Sequence, residues 1–280
     1  MKSIYRTEGS REALASFMDE VLKLWPYPFA AQYVDTRFGK THAVTAGSKD
    51  CPALVLLHGS ASNLLSFGGD IPQYMGNYYV VAPDLPGEAG KSGPERPDWR
   101  KEDFVLWMDD VLDAFGIRET ALLGVSLGGW IAAKYAAHRP GRVRSLVLNA
   151  PAGLVPARKS IIIKEILYTM RKNSDNGKML KNVFGEAEIP AEVKMFMDLV
   201  QKNLKPRIGS PPLLKDSEFA SIKARVFMTA GEKDAFFNTQ KAADRLRSAL
   251  PDAEIQIIPE GQHALTGNNS RLMEFMNDNK

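Results

Sequence analysis

This 280-residue chain is predicted to be an α/β protein, with a mostly parallel central sheet flanked by helices and a helical cap inserted into it. Three observations carry that prediction. Short apolar runs of strand length alternate with helical patterns, the order that builds a parallel sheet covered on both faces. Gly124-Val-Ser-Leu-Gly128 stands between one such run and a helix. The interval 154–222 separates two core strands but is too long for a simple crossover.

Taken in order, residues 10–25 place Leu14, Phe17, Met18, Val21, Leu22 and Trp25 on one side of a helix, which Pro26 and Pro28 stop. Packing on the domain is the reading adopted for it, over a dimer contact or a membrane-surface helix. Thr36 to Val44 reads as a hairpin turning at Gly39, which assigns His42 to the surface. Strands follow near 53–57, 78–82, 120–125, 143–149, 225–230 and 254–258, with helices at 102–116, 127–138, 239–250 and near 269–277. In the second of these helices Trp130, Ile131 and Tyr135 share a face. Within 154–222, helices are expected at Ile161 to Arg171, Lys178 to Phe184 and Ala191 to Leu204, returning through Lys205-Pro-Arg-Ile-Gly-Ser-Pro-Pro. The organisation is thus one core domain, 1–153 with 223–280, and a cap, 154–222.

The chemistry starts at Ser126. A serine between glycines on a strand-to-helix turn is held in a strained backbone conformation and exposed as a nucleophile. Capping of the next helix is the competing role. A hydroxyl needs a base, and the chain has four histidines. In parallel sheets reactive groups gather at the carboxyl ends of strands. Ser126, His58 and His263 each follow a strand, whereas His138 ends a helix on the opposite edge, where a cation suits the helix dipole. His58 is assigned to orienting its loop by hydrogen bonds, which leaves His263 as the base.

The acid that orients the imidazole must share that edge. Asp234 does, and the 29 residues from it to His263 leave room for a helix and a strand. Its competing role is to cap the helix starting near Thr239. Glu232 is the nearest rival. Asp252 precedes its strand, and the alternative acid position after strand 143–149 holds Asn149.

The order Ser126, Asp234, His263 resembles the α/β-hydrolase family, and the resemblance covers nearly the whole chain. The other matching segments are His58-Gly59, the loop Asp84-Leu-Pro-Gly-Glu-Ala-Gly-Lys-Ser92, Gly-x-x-Asp at 231–234 and Gly-x-His at 261–263. The resemblance implies an oxyanion hole from the amides of Leu127 and Ser60, with Ala61 as a rival for the second. The 84–92 loop carries one residue more than the family pattern, around Glu88-Ala89. Glu88 is read as a solvated loop glutamate, with a substrate contact as the alternative. Relatives that attack with an aspartate are excluded by Ser126. Carbon–carbon bond hydrolases typically have tryptophan after the histidine, where Ala264 stands here.

The resemblance implies a serine hydrolase cleaving carboxylic esters and needing no metal and no organic cofactor; the roof expected of the cap at 154–222 narrows the substrates to small-to-medium soluble esters. The alternatives are a low-turnover small-molecule receptor or signalling protein, a cofactor-free perhydrolase or acyltransferase, or a carbon–carbon bond hydrolase, against which Ala264 weighs without excluding it. Composition agrees with one large core: 44% of residues are hydrophobic and 25% charged. The expected partner is a small-molecule ester. Nucleic acid is not expected, because no basic run is interleaved with aromatics, nor is stable membrane association, and the chain is expected to be a monomer or homodimer. Cys51 is the single cysteine, so no internal disulfide forms, and without an apolar signal core near Met1 the cytoplasm is the expected location. Met170, Met179, Met195, Met197, Phe184 and Phe196 are expected to help roof a finite apolar pocket.

Overall fold

The computed structural model describes residues 3–161, 177–265 and 270–278. The helix expected at Ile161 to Arg171, with Met170, lies beyond Ile161 outside the described residues, as does the side chain of Met179. One sheet organises the chain, in the strand order β1-β2-β4-β3-β5-β6-β7-β8. Strands β1 (Ala30–Thr36) and β2 (Gly39–Ala46) form the antiparallel hairpin that turns before Gly39, and β2 pairs antiparallel with β4 (Tyr79–Pro83). From β4 onward the pairing is parallel, through β3 (Ala53–Leu57), β5 (Thr120–Val125), β6 (Val143–Asn149), β7 (Arg225–Gly231) and β8 (Glu254–Ile258).

The central strands are buried on both faces, which is why Ala53-Leu-Val-Leu-Leu57 is an apolar run and not an alternation. Val55 and Leu57 point into a core shared with α3 (Asp103–Ala114), α4 (Leu127–His138) and α8 (Thr239–Ala249). Trp130, Ile131 and Tyr135 of α4 all enter it. Leu54 and Leu56 point the other way, against Met18, Phe67, Ile71 and Phe275. These come from α1 (Ser10–Lys23), the 3₁₀ turn Leu64–Phe67, α2 (Ile71–Tyr74) and α9 (Ser270–Asn277).

Between β6 and β7 lie α5 (Gly177–Phe184), α6 (Ala191–Asn203) and the short α7 (Asp216–Ser221). Helix α6 packs on the N-terminal segment. Phe17 and Phe196 stack with centroids 5.9 Å apart, and Arg6 N–H and Lys205 N–H donate to the Asn203 and Ile4 carbonyls. Ile4, Leu14, Ala89, Val200 and Leu204 bury together there. Helix α1 therefore has two jobs along one face: Leu14 meets the insertion, while Met18 and Leu22 meet the sheet. Burial of each such side chain contributes about 1.5–3 kcal/mol over leaving it in water. Phe219 of α7 is buried in the core cluster beside α4.

Candidate active site

Ser126 sits at φ 53° and ψ −110°, between the end of β5 and the start of α4. That left-handed conformation is costly for a residue with a Cβ and persists only where the surroundings impose it. The surroundings here are tight. A Cβ on Gly124 would lie 2.3 Å from the Gly128 carbonyl oxygen, and one on Gly128 would lie 2.0 Å from that of Leu57. Only glycines let strand and helix approach this closely. The backbone is pinned by Ser126 N–H donating to the Asn149 carbonyl at 2.9 Å and by Ala152 N–H donating to the Ser126 carbonyl at 3.0 Å. The Ser126 side chain makes no capping bond to α4, so the hydroxyl is not spent on the helix.

His263 follows β8 and Asp234 follows β7, at the same carboxyl edge as Ser126. His263 Nδ1 and Asp234 Oδ2 are 2.8 Å apart. Asp234 is 3% exposed, and its Oδ1 accepts the N–H groups of Phe236 at 2.6 Å and Phe237 at 3.1 Å. Those donors occupy Oδ1 and leave Oδ2 facing the imidazole. The cap of α8 is Asn238, whose side chain accepts Lys241 N–H, and not Asp234. Gly231 lets the two loops close on each other, since a Cβ there would lie 2.2 Å from the Gln262 carbonyl oxygen.

Two aromatic residues that the sequence reading passed over complete the setting. The Phe236 and Phe237 rings lie 4.4 and 5.6 Å from the His263 ring, centroid to centroid. An aromatic pair directly behind the acid was the available signal.

The rivals stand elsewhere. Glu232 is exposed and accepts the Glu260 N–H at 3.1 Å. Asp252 is exposed before β8, at the far edge. Asn149 ends β6, its side-chain oxygen buried without a hydrogen bond among the described residues. His138 closes α4, 3.2 Å from Glu218 and 3.4 Å from Glu102. His58 is buried with both nitrogens engaged: Nε2 accepts Leu85 N–H at 2.9 Å and Nδ1–H donates to the Gly59 carbonyl at 2.8 Å. Burial pushes its pKa down, which keeps it neutral.

Two expectations are corrected. His42 is not a surface residue but is 1% exposed, with Nδ1 2.8 Å from Asp84 Oδ2. Its strand lies inside the sheet between β1 and β4, so the hairpin does not project into solvent. Glu88 is not a solvated loop glutamate; it is 4% exposed beneath the 58–63 loop. Burial raises its pKa, opposed by the Ala61 N–H bond and by the charges of Arg96 and Arg207.

Around Ser126 the backbone donors are distinguishable. A Cβ built on Gly59 would lie 3.5 Å from the Ser126 Cβ, so the loop after β3 lies against Ser126. Ala61 N–H is occupied by Glu88 Oε2 at 2.7 Å. Ser60 and Leu127 N–H find no acceptor among the described residues. A hollow of about 720 Å³ opens behind the 259–265 loop, against Leu123, Val125, Asn149, Thr229 and Gln256. Neither Ser126 nor His263 lines it. No helix among the described residues is long and apolar enough to cross a membrane.

Residues 52–208 match the family model described as the alpha/beta hydrolase fold. An uncharacterized carboxylesterase, nap, of Bacillus subtilis is 30% identical over 92% of this chain and 90% of its own length. Carboxylesterase YbfK of the same organism is also 30% identical, over 92% of this chain and 91% of its own. The crystal structure of naproxen esterase from B. subtilis superposes with a TM-score of 0.85 at 28% identity, covering 97% of this chain and 99% of that one.

Proposed function

This chain belongs to the α/β-hydrolase family, and on that premise we propose that it is a serine carboxylesterase with Ser126, His263 and Asp234 as its triad. The observation that carries this reading is the 2.8 Å pair of His263 and Asp234 at the strand edge that also presents Ser126 in its strained turn. Two relatives of matching length are named carboxylesterases.

In the proposed reaction His263 Nε2 removes the Ser126 hydroxyl proton as Oγ attacks the ester carbonyl. The imidazolium that forms is stabilised through its Nδ1–H by Asp234. The Leu127 and Ser60 N–H groups receive the oxyanion, each worth about 3–4 kcal/mol when well placed. Collapse of the tetrahedral adduct breaks the bond to the alcohol oxygen, which takes the proton from His263. Water, deprotonated by the same histidine, then attacks the acyl-serine; the carboxylic acid leaves and Ser126 regains its proton.

The insertion between β6 and β7 is proposed as a cap that limits substrate size. Ala264 N–H, next to the base, donates to the Val183 carbonyl of α5 at 2.9 Å, so cap and catalytic loop are directly joined. Soluble esters of short-to-medium acyl chains fit a roofed pocket of ordinary volume better than emulsified triglycerides do. The test is turnover of p-nitrophenyl butyrate together with labelling by a fluorophosphonate. Wild type gives many turnovers and is labelled, whereas Ser126→Ala loses about 10⁴–10⁶ in kcat and all labelling. Labelling of Ser126→Ala at the wild-type rate would remove Ser126 from the site, and a wild type that stops near one turnover would make the protein a receptor.

A further inference from the structure

The residue that lengthens the 84–92 loop is built into the turn that carries the Ser60 N–H, one of the two proposed oxyanion donors. Burying a carboxylate is costly unless hydrogen bonds and opposite charge compensate it. Glu88 nevertheless buries its carboxylate against a single backbone amide, that of Ala61, at 2.7 Å. The same stretch grips the turn twice more: Ala89 N–H donates to the Ser62 carbonyl at 3.2 Å, and Asn63 Nδ2 donates to the Ala89 carbonyl at 3.1 Å. Ala61 has φ 53°, a strained conformation for alanine that must be held from outside.

The Ala61 N–H belongs to the peptide plane immediately after the one bearing the Ser60 N–H. Anchoring one plane restricts rotation about Ser60 and so fixes the direction of the other. On the far side of Glu88, Arg96 donates from Nη2 to the Lys205 carbonyl at 2.5 Å, and Arg207 donates from Nη2 to the Pro97 carbonyl at 2.8 Å. Both guanidinium groups act on the Glu88 carboxylate through space, and one of them comes from the chain returning out of the insertion.

We propose that Glu88 is the positioning residue of the oxyanion turn: by holding the Ala61 amide it keeps that group out of the hole and aims the Ser60 N–H at the ester carbonyl oxygen. The proposal rests on the serine-esterase reading and adds to it the reason for the longer loop. Glu88 itself touches no reacting atom.

The test compares Glu88→Ala and Glu88→Gln in the full chain, on p-nitrophenyl butyrate, with inhibition by an alkyl trifluoromethyl ketone as the measure of oxyanion binding. Glu88→Ala is expected to lower kcat by about 10²-fold, the range for losing one oxyanion donor, with KM changed less than threefold. Ketone affinity falls in parallel with kcat/KM. Glu88→Gln, whose amide oxygen can still accept from Ala61, recovers kcat to within about tenfold of wild type. Should Glu88→Ala not fold, Glu88→Gln and the wild type still give the ketone comparison, in which a loss of kcat/KM unmatched by a loss of ketone affinity overturns the proposal. A folded Glu88→Ala with kcat within twofold of wild type overturns it as well. A wild type that neither turns over esters nor labels with fluorophosphonate sinks the esterase reading instead, so the two failures are separable.

Discussion

Two histidine–aspartate pairs in this molecule have the same contact, Nδ1 to Oδ2 at 2.8 Å, and opposite settings. His42–Asp84 is sealed inside the sheet, with His42 Nε2 buried and without a partner among the described residues and the Tyr33 ring tilted against it, centroids 5.1 Å apart. His263–Asp234 stands at the strand edge, between two phenylalanine rings, with the histidine partly open. Asp84 also accepts Leu64 N–H and Lys91 N–H, both at 2.9 Å, and its Leu85 neighbour is held by His58. Burial alone would raise the Asp84 pKa, but the hydrogen bonds from His42 and from Leu64 N–H hold it below the usual carboxylate range. The difference teaches that one and the same His–Asp contact serves opposite settings, of which only the pair at the strand edge is proposed as catalytic. What separates the two in the structure is exposure: His42 is sealed, whereas His263 opens at the strand edge that also carries Ser126.

The sharpest way to break the comparison is to convert each aspartate to asparagine. Asp234→Asn is expected to fold with wild-type stability within about 1 kcal/mol and to lose up to ~10⁴ in kcat, through the wrong histidine tautomer. Asp84→Asn leaves a buried histidine facing an amide. It is expected to destabilise the fold by about 3–5 kcal/mol in urea titration, while the folded fraction keeps kcat within about tenfold. Reversed outcomes, with activity lost at Asp84 and stability lost at Asp234, would exchange the two roles.

A third aspartate sharpens the same contrast because it has no histidine. Asp70 lies at the start of α2 without a side-chain capping bond, and burial pushes its carboxyl from 3.8 up to about 6. The folded state therefore binds more protons than the unfolded state between about pH 4 and 6, and stability falls as pH rises through that window. Asp70→Asn is expected to stabilise by about 1–3 kcal/mol above pH 6 and by nearly nothing at pH 4. Equal gains at pH 4 and pH 8 in thermal melts would refute this.

The smallest expected effect concerns the insertion. Phe196→Ala removes the ring stacked on Phe17 without touching either His–Asp pair. A several-fold shift in KM across acyl lengths is expected, with acetate hydrolysis within about twofold of wild type, because remote contacts change binding more than chemistry. Highest efficiency on emulsified long-chain ester would show that the insertion opens on lipid.

Much of this was legible before any coordinates, and the reason is local physics. The apolar runs 53–57, 120–125 and 143–149 are strands because no amphipathic period interrupts them. Gly124 and Gly128 announce the turn at Ser126 because no other residue fits there. Asp234 and His263 were reachable from topology alone, since both follow strands of a parallel sheet.

What only the tertiary structure decided depends on contacts distant in the chain. Thr41-His-Ala-Val reads as an exposed hairpin arm, yet Asp84, 42 residues away, and the Trp107 indole donating to Thr41 Oγ1 bury it. Glu88 reads as a loop glutamate until the Ala61 amide, 27 residues earlier, closes on it. Sequence determines which backbone conformations and periodicities are affordable, because those depend on neighbouring residues. Which polar groups share a buried space depends on how strands far apart in the chain are packed, and that only the folded structure settles.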